Sequence, residues 1–194
     1  MNFLAHFLLS CPEEETIVGN FLADFLRKAE QDELPDPYQI GIKLHYAIDA
    51  YTDQHPRVQH SVRLLRNQHS KYAPVILDVL YDYVLAQNWP VFCDEPLAEF
   101  TARMYAILQR HLPVMPERMQ RRVPNMIRHE WLLAYTTLPG LRHTFARMTS
   151  RVSKPEFFEY ILRSFQDHEH ELEQDFQAFF PDIQAYAKTF CAGA

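Results

Sequence analysis

Two pairs of ionisable residues, each one helical turn apart, are the feature of this sequence with the clearest chemical potential. Asp78 and Asp82 share a predicted helix face with apolar residues, and His45 and Asp49 do so on another helix. Carboxylates four residues apart repel each other, and their burial without partners is costly. Each pair therefore requires a compensating group.

Two further residues extend this pattern to two more predicted helices. Asp24 falls between Phe21 and Phe25, and His6 lies in the apolar N-terminal segment. A divalent cation bound by imidazole and carboxylate would neutralise the excess negative charge, and these ligands suit Mn²⁺, Fe²⁺, Mg²⁺ or Zn²⁺. The alternative is that an arginine, a helix cap or solvent satisfies each group separately. We favour a metal site because six such groups occur on four helices.

Helices are the elements that must position these residues. Among 194 residues, 47% are hydrophobic, and only 4 glycines accompany 13 prolines, which is a poor supply of turn residues for an all-β fold. Helical periodicity predicts helices at 2–9, 13–28, 38–54, 57–69, 74–88, 96–111, 116–137 with a break or bend near Pro124, 141–150, 155–178 and 182–191. Loops are predicted at 29–37 and 89–95. The sequence therefore predicts one all-α domain over residues 1–194.

Several motifs are missing, and their absence removes whole classes of function. The sequence has no dinucleotide-binding or P-loop glycine motif, no HExxH and no CxxC. Its three cysteines, Cys11, Cys93 and Cys191, are odd in number and far apart, which predicts reduced thiols in a cytosolic protein. No apolar run approaches the roughly 18 residues of a membrane-spanning helix. We therefore predict a soluble, cytoplasmic protein without membrane contact.

The formal net charge of −6 conceals an uneven distribution. Residues 101–154, here called the cationic segment, carry 10 basic and 2 acidic side chains. Within it, Arg118, Arg121, Arg122 and Arg128 lie close together in sequence, and Arg142, Arg147 and Arg151 follow. Such a bias attracts phosphate, nucleic acid or an acidic protein, unless the arginines are simply spread around solvated helices. The acidic, histidine-rich stretch 167–175 is interpreted as a solvent-exposed helix face.

Several motifs resemble the acyl carrier protein phosphodiesterases, also called acyl carrier protein hydrolases. The matching segments are MNFLAH at 1–6, GNFLADF at 19–25, GIKLH at 41–45 with Ile48-Asp49 and Thr52-Asp53, Pro74 with Leu77-Asp78-Val79 and Asp82, Asn125, Trp131-Leu132, and the turn at 148–151. The resemblance covers nearly the whole chain, and the first 90 residues carry its specific motifs.

The resemblance implies an all-helical relative of the HD-type metal phosphohydrolases, although the adjacent His-Asp pair of that superfamily is absent. It implies hydrolysis of the phosphodiester that joins 4′-phosphopantetheine to a serine of acyl carrier protein. Mn²⁺ is the metal it favours, with Mg²⁺ or Fe²⁺ as alternatives. The metal ligands that it indicates are His6, Asp24, His45 and Asp78. Asp49 and Asp82 are the next candidates, either as further metal ligands or as carboxylates that lie beside the ligands.

The expected mechanism is metal-assisted hydrolysis, in which a metal lowers the pKa of a bound water toward about 7. Asp49 or Asp82 would accept the proton of that water, and His55 is a candidate general acid for the departing serine. Acyl carrier proteins are strongly acidic. The predicted docking residues are therefore the basic ones Arg118, Arg121, Arg122 and Arg128.

Two alternatives use the same residues differently. An HD-type hydrolase of small nucleotides would keep the metal site and need no protein-docking face. A non-enzymatic helical module would bind nucleic acid through the cationic segment. The scarcity of aromatic residues between Arg110 and Arg128 argues against this module, since single strands stack on aromatic side chains. The oligomeric state is not predicted.

Overall fold

The computed structural model describes residues 1–149 and 152–194, and its regular structure is helical. No strand occurs in these two ranges, so the predicted all-α class is confirmed. The helices are α1 Phe3–Leu8, α2 Glu14–Ala23, α3 Lys28–Asp32, α4 Asp36–Gln54, α5 Pro56–His69, α6 Ala73–Gln87, α7 Trp89–Phe92, α8 Leu97–Arg110, α9 Glu117–Arg128, α10 Leu138–Thr149, α11 Ile161–Asp167 and α12 Glu169–Ala192. Short 3-10 turns lie at Ser70–Tyr72, Leu112–Val114, Leu133–Thr136 and Pro155–Phe158. Residues 150–151, which include Arg151 and the second half of the predicted turn at 148–151, lie outside the described residues.

Both predicted loops contain a short helix. Helix α3 occupies the beginning of the predicted loop at 29–37. Its N-terminus is capped by Glu30, whose carboxylate accepts a 2.8 Å hydrogen bond from the backbone N–H of Arg27. The predicted helix 13–28 ends earlier, at Ala23. The buried amide of Gln31 donates to the carbonyls of Ala23 and Leu26 and so satisfies groups that a helix end leaves unpaired. The loop at 89–95 begins with α7.

Prolines interrupt the helices less than the sequence suggests. Helix α9 runs through Pro124, and α12 runs through Pro181. Both prolines are exposed, so water can bond the carbonyl that each leaves without a donor. The breaks fall instead at residues with positive φ, namely Glu130 at 45° and Tyr160 at 61°. Helix α9 thus has no break at Pro124, the predicted helix at 116–137 ends at Arg128, and the predicted helix at 155–178 is divided.

Helices α2 and α4 pack with their backbones in close approach because glycine occurs at two contact positions. A Cβ on Gly19 would lie 2.1 Å from the carbonyl oxygen of Tyr38, and one on Gly41 would lie 2.1 Å from that of Thr16. No real side chain fits at such distances. The two glycines thus bring the polar faces of α2 and α4 together.

Helix α12 is held against α5 by a buried carboxylate as well as by its phenylalanines. Asp175 is buried and accepts hydrogen bonds from Ser61 Oγ at 2.8 Å and from His60 Nδ1 at 2.6 Å. Tyr81 of α6 donates to the same serine oxygen at 2.9 Å. The interpretation of 167–175 as a solvent-exposed face is therefore wrong at Asp175, which faces the core.

A disulfide joins the two ends of the fold and overturns one expectation. Cys11, after α1, is bonded to Cys191, at the end of α12, whereas Cys93 is free. The prediction of reduced thiols is therefore wrong for this pair. The sequence could not indicate the bond, because 180 residues separate the two cysteines and only the fold brings them together. Among the described helices, none combines the length and apolar character needed to cross a membrane.

We expect the disulfide to stabilise the fold by restricting the unfolded chain. Closing a loop of this length corresponds to about 5 kcal/mol in the chain-entropy model. The Cys191→Ser variant should therefore unfold at lower urea concentration than the wild type, and dithiothreitol should lower the wild-type midpoint to the same value. Cys93→Ser is the matched control and should behave as the wild type does. Equal stability of Cys191→Ser and the oxidised wild type would contradict this expectation.

Candidate metal centre

Three helices deliver four side chains to one point. His6 comes from α1, Asp24 follows the last residue of α2, and His45 and Asp49 come from α4. His6 Nε2 lies 3.1 Å from Asp49 Oδ1, and His45 Nε2 lies 3.2 Å from Asp49 Oδ2 and 3.5 Å from Asp24 Oδ1. Donor atoms of His6, His45 and Asp49 all lie within 4.8 Å of one another. These four residues form the candidate metal centre.

A single amide orients both imidazoles. The rings of His6 and His45 stack with centroids 4.2 Å apart, and both Nδ1 atoms donate to Asn20 Oδ1, at 3.0 and 3.2 Å respectively. The orientation of Asn20 is set in turn by its Nδ2, which donates to the carbonyl of His6 at 2.9 Å and to Ser10 Oγ at 2.8 Å. The proton of each ring is thereby assigned to Nδ1, and each Nε2 faces a carboxylate.

This arrangement fits a divalent metal. A neutral imidazole with its proton on Nδ1 presents a lone pair at Nε2, which would repel a carboxylate oxygen about 3 Å away unless a proton or a metal lay between them. Metal-bound histidines characteristically donate their other ring N–H to an oxygen acceptor, as His6 and His45 do to Asn20. Two imidazoles with carboxylates form a ligand set used by Mn²⁺, Fe²⁺ and Zn²⁺.

Protonation of His45 offsets part of the negative charge of the centre without a metal. Burial lowers the pKa of His45, but hydrogen bonds to Asp24 and Asp49 outweigh burial and raise this pKa to about 9. Burial raises the pKa of Asp49, yet the hydrogen bonds from His45 and His6 hold it well below its usual range. Burial lowers the pKa of His6 despite its bond to Asp49. A proton on Nε2 of His45 thus occupies one position that a cation would take.

Asp78, a predicted ligand, lies at the edge of this centre. Its Oδ1 is 3.1 Å from the amino group of Met1, which is also 3.5 Å from Asp49 Oδ1. Burial lowers the pKa of this amino group, but Asp78 and Asp49 outweigh burial and raise it to about 10. The two carboxylates thus flank one buried cation, with Asp78 outside the group of closest donor atoms.

Asp82 and His55, two predicted catalytic residues, are engaged elsewhere. Asp82 is fully buried, and its two oxygens accept hydrogen bonds from the backbone N–H groups of Leu4, at 2.8 Å, and Ala5, at 3.1 Å. Burial raises its pKa to about 7, although these two bonds oppose the shift. His55 contacts Asp182 of α12 at 3.3 Å. Asp82 therefore anchors α1, which carries His6.

A cleft of about 290 Å³ adjoins the centre. Asp24 and Asp78 line it on the side of the candidate ligands. The remaining lining residues are Met1, Asn2, Phe3, Phe25, Val75, Val79, Arg122, Trp131, Tyr135, Thr144, Arg147 and Met148. The side chains of Asp24, Asp49 and Asp78 are each about one-third exposed, whereas His6 and His45 are buried. A small molecule in the cleft can therefore reach the carboxylate side of the centre.

The four arginines predicted to dock a partner have different surroundings. Arg118 forms an ion pair with Glu30 and donates to the carbonyl of Phe25 at 2.8 Å, so it ties α9 to α3. Arg121 pairs with Glu117 on the surface of α9. Arg128 is exposed at the end of α9, whereas Arg122 lies in the cleft.

Asn20 was not predicted from the sequence as a functional residue. A neutral amide on an apolar helix face carries no charge that has to be compensated. Two signals could have identified it, namely its place in the GNFLADF segment at 19–25 and its position one helical turn before Asp24.

We expect Asn20→Leu to lower the affinity for Mn²⁺ by about ten- to a hundredfold, since the imidazoles would lose the acceptor that orients them. Calorimetric titration of the metal-free protein measures this directly. Asn88→Leu removes another half-buried amide, one that bonds the carbonyl of Val84 and Glu173, and should leave the affinity unchanged. Wild-type affinity in Asn20→Leu would contradict the role assigned to this amide.

Asp82→Asn should lower the free energy of unfolding by about 1–3 kcal/mol, because one N–H of α1 would face an amide group that cannot accept its hydrogen bond. Urea denaturation measures the effect. Asp32→Asn, an exposed pair with Lys28, is the control and should have little effect. If Asp82→Asn were as stable as the wild type and lost only activity, Asp82 would instead act in the reaction.

Comparisons with known proteins show the family of the chain. Residues 1–183 match the family model described as acyl carrier protein phosphodiesterase. The acyl carrier protein phosphodiesterase of Serratia proteamaculans is 34% identical over 194 residues, covering 97% of this chain and 98% of the relative. That of Pectobacterium atrosepticum is 31% identical over 190 residues, with the same coverage. No solved structure matches. The chain belongs to the acyl carrier protein phosphodiesterase family.

Proposed function

We propose that this protein hydrolyses the phosphodiester between 4′-phosphopantetheine and a serine of acyl carrier protein, releasing apo-acyl carrier protein. The proposal rests on family membership together with one observation. Two imidazoles, oriented by one amide, meet the carboxylates of Asp24 and Asp49 beside a cleft that also contains two arginines. This combination suits a metal-dependent reaction at phosphorus.

The metal ligands that we propose are His6, Asp24, His45 and Asp49, with Mn²⁺ as the favoured ion and Mg²⁺ or Fe²⁺ as alternatives. When bound, the metal would polarise the phosphoryl group and supply a hydroxide nucleophile at neutral pH. The support for Asp49 is its contact with both imidazoles, at 3.1 and 3.2 Å.

The remaining polar residues would orient the ligands and move a proton. Asn20 would keep the Nδ1–H form of His6 and His45, so that each Nε2 stays directed at the reaction centre. Asp78 lines the cleft outside the closest donor set and is partly exposed. We therefore propose Asp78, in place of Asp82, as the carboxylate that accepts the proton of the attacking water.

The exposed arginines of α9 would bind the acidic face of the carrier protein. Arg121 and Arg128 lie on the surface of the helix that carries Arg122 into the cleft. Exposed charges of this kind accelerate association and are screened over about 8–10 Å at moderate ionic strength. The location that we propose is the cytoplasm, with the carrier protein, although disulfides such as Cys11–Cys191 are rare in that compartment.

The activity is tested by mass spectrometry of holo-acyl carrier protein incubated with the protein and Mn²⁺. We expect loss of the 4′-phosphopantetheine mass with the wild type and at least a hundredfold slower loss with Asp49→Ala. Removal of the metal by EDTA should abolish the reaction, and added Mn²⁺ should restore it. Hydrolysis of a nucleotide panel without hydrolysis of the carrier protein would contradict the proposed substrate.

The docking surface is tested by charge reversal at Arg121 and Arg128. The double change to Glu should lower kcat/KM on holo-acyl carrier protein about tenfold at low salt and much less at 0.5 M salt, because salt already screens the attraction. Reversal of Arg163 and Lys188, which are exposed on α11 and α12, changes the net charge equally and should have little effect. Equal losses in the two double variants would remove α9 as the docking surface.

A further inference from the structure

Two arginines of the cleft are held against one indole ring. The guanidinium carbon of Arg147 lies 4.1 Å from the ring centroid of Trp131, and that of Arg122 lies 5.4 Å from it. Arg122 also lies 4.6 Å from the ring centroid of Phe25. Contact with an aromatic ring restrains a guanidinium group, and the N–H groups of a guanidinium bind phosphate oxygens in pairs.

The two arginines and the candidate ligands line the same cleft. Arg122 and Arg147 come from α9 and α10, whereas Asp24 and Asp78 belong to the candidate metal centre. A phosphodiester has two non-bridging oxygens that carry its charge. A phosphate in the cleft could therefore contact two kinds of cation. One is the pair of guanidinium groups, and the other is a metal bound at the carboxylates.

A second cavity of about 370 Å³ lies beside the cleft. The two share Trp131, Tyr135, Thr144 and Arg147, and the second is completed by Asn125, His129, Ala134 and His143. Its added side chains are mostly amide and imidazole, which donate and accept hydrogen bonds. Both volumes are near the lower limit for small-molecule sites, about 300 Å³, and suit a narrow chain.

We propose that Arg122 and Arg147, fixed against Trp131, bind the phosphate of the 4′-phosphopantetheine arm, and that the second cavity receives the amide-containing remainder of the arm. This inference rests on the proposed function and specifies how the same site recognises its substrate. The two amides of the arm would meet the polar lining of the second cavity. The protein would thus recognise the prosthetic group itself, separately from the carrier protein.

The proposal is tested by calorimetric binding of free 4′-phosphopantetheine, pantetheine and inorganic phosphate, with and without Mn²⁺. We expect Arg147→Gln to weaken 4′-phosphopantetheine binding about tenfold or more, also in metal-free protein, and to leave pantetheine binding and Mn²⁺ affinity unchanged. His143→Leu should weaken binding of both pantetheine compounds and leave inorganic phosphate unaffected. Arg142→Gln, an exposed arginine of α10 outside both cavities, is the matched control.

Arg147→Lys keeps the charge but loses the planar fork, and we expect it to recover only part of the affinity. Circular dichroism and unfolding midpoints establish that each variant folds. Wild-type affinity of Arg147→Gln for 4′-phosphopantetheine would overturn the inference while leaving the proposed function intact, if holo-carrier protein were still hydrolysed. The opposite result is also informative. If the wild type bound 4′-phosphopantetheine and Arg147→Gln did not, but the wild type hydrolysed no holo-carrier protein, the inference would be supported and the proposed function rejected.

Discussion

The close approach of α2 and α4 is the constraint on which the candidate site depends. Gly19 and Gly41 let the two backbones come nearer than any side chain would allow. The residues that follow on these helices then meet at hydrogen-bonding distance, with Asn20 Oδ1 3.2 Å from His45 Nδ1. Hydrogen bonds weaken steeply outside a narrow range of distance and angle. A small separation of the helices would therefore uncouple the amide from the imidazole.

Negative charge is concentrated at this contact, and the fold balances it with cations of several kinds. Asp24, Asp49 and Asp78 face the protonated imidazole of His45 and the amino group of Met1. A divalent metal at the imidazoles would displace protons from them, so binding of the metal and release of protons are coupled. The same charges, without any cation, would repel one another at partial burial.

Helical periodicity predicted the faces of the helices but could not separate the roles of residues on one face. Asp78 and Asp82 share a face of α6, yet Asp82 bonds the N–H groups of Leu4 and Ala5, while Asp78 lines the cleft. Only the packing of α1 against α6 distinguishes them. The convergence of His6, Asp24, His45 and Asp49 was expected from charge on apolar faces. Their roles as ligands stay a prediction.

Other features could not be read from a local pattern at all. The contact of Asn20 with two histidines depends on the separation of three helices, and no charge marks it. The pairing of Cys11 with Cys191 depends on the path of the whole chain. The cationic segment was recognised from its excess of positive charge, but the sequence could not show that its arginines have different surroundings. Arg118 pairs with Glu30, whereas Arg122 contacts the ring of Phe25.

The disulfide turns residues 11–191 into one covalent ring, and α1 lies outside it. Helix α1 is held by the burial of its own side chains and by hydrogen bonds, among them those to Asp82 and Asn20. Its detachment would remove His6 and open the centre to solvent while the ring stayed folded. The amide protons of α1 would then exchange with solvent by local opening and those of α2 and α4 by global unfolding.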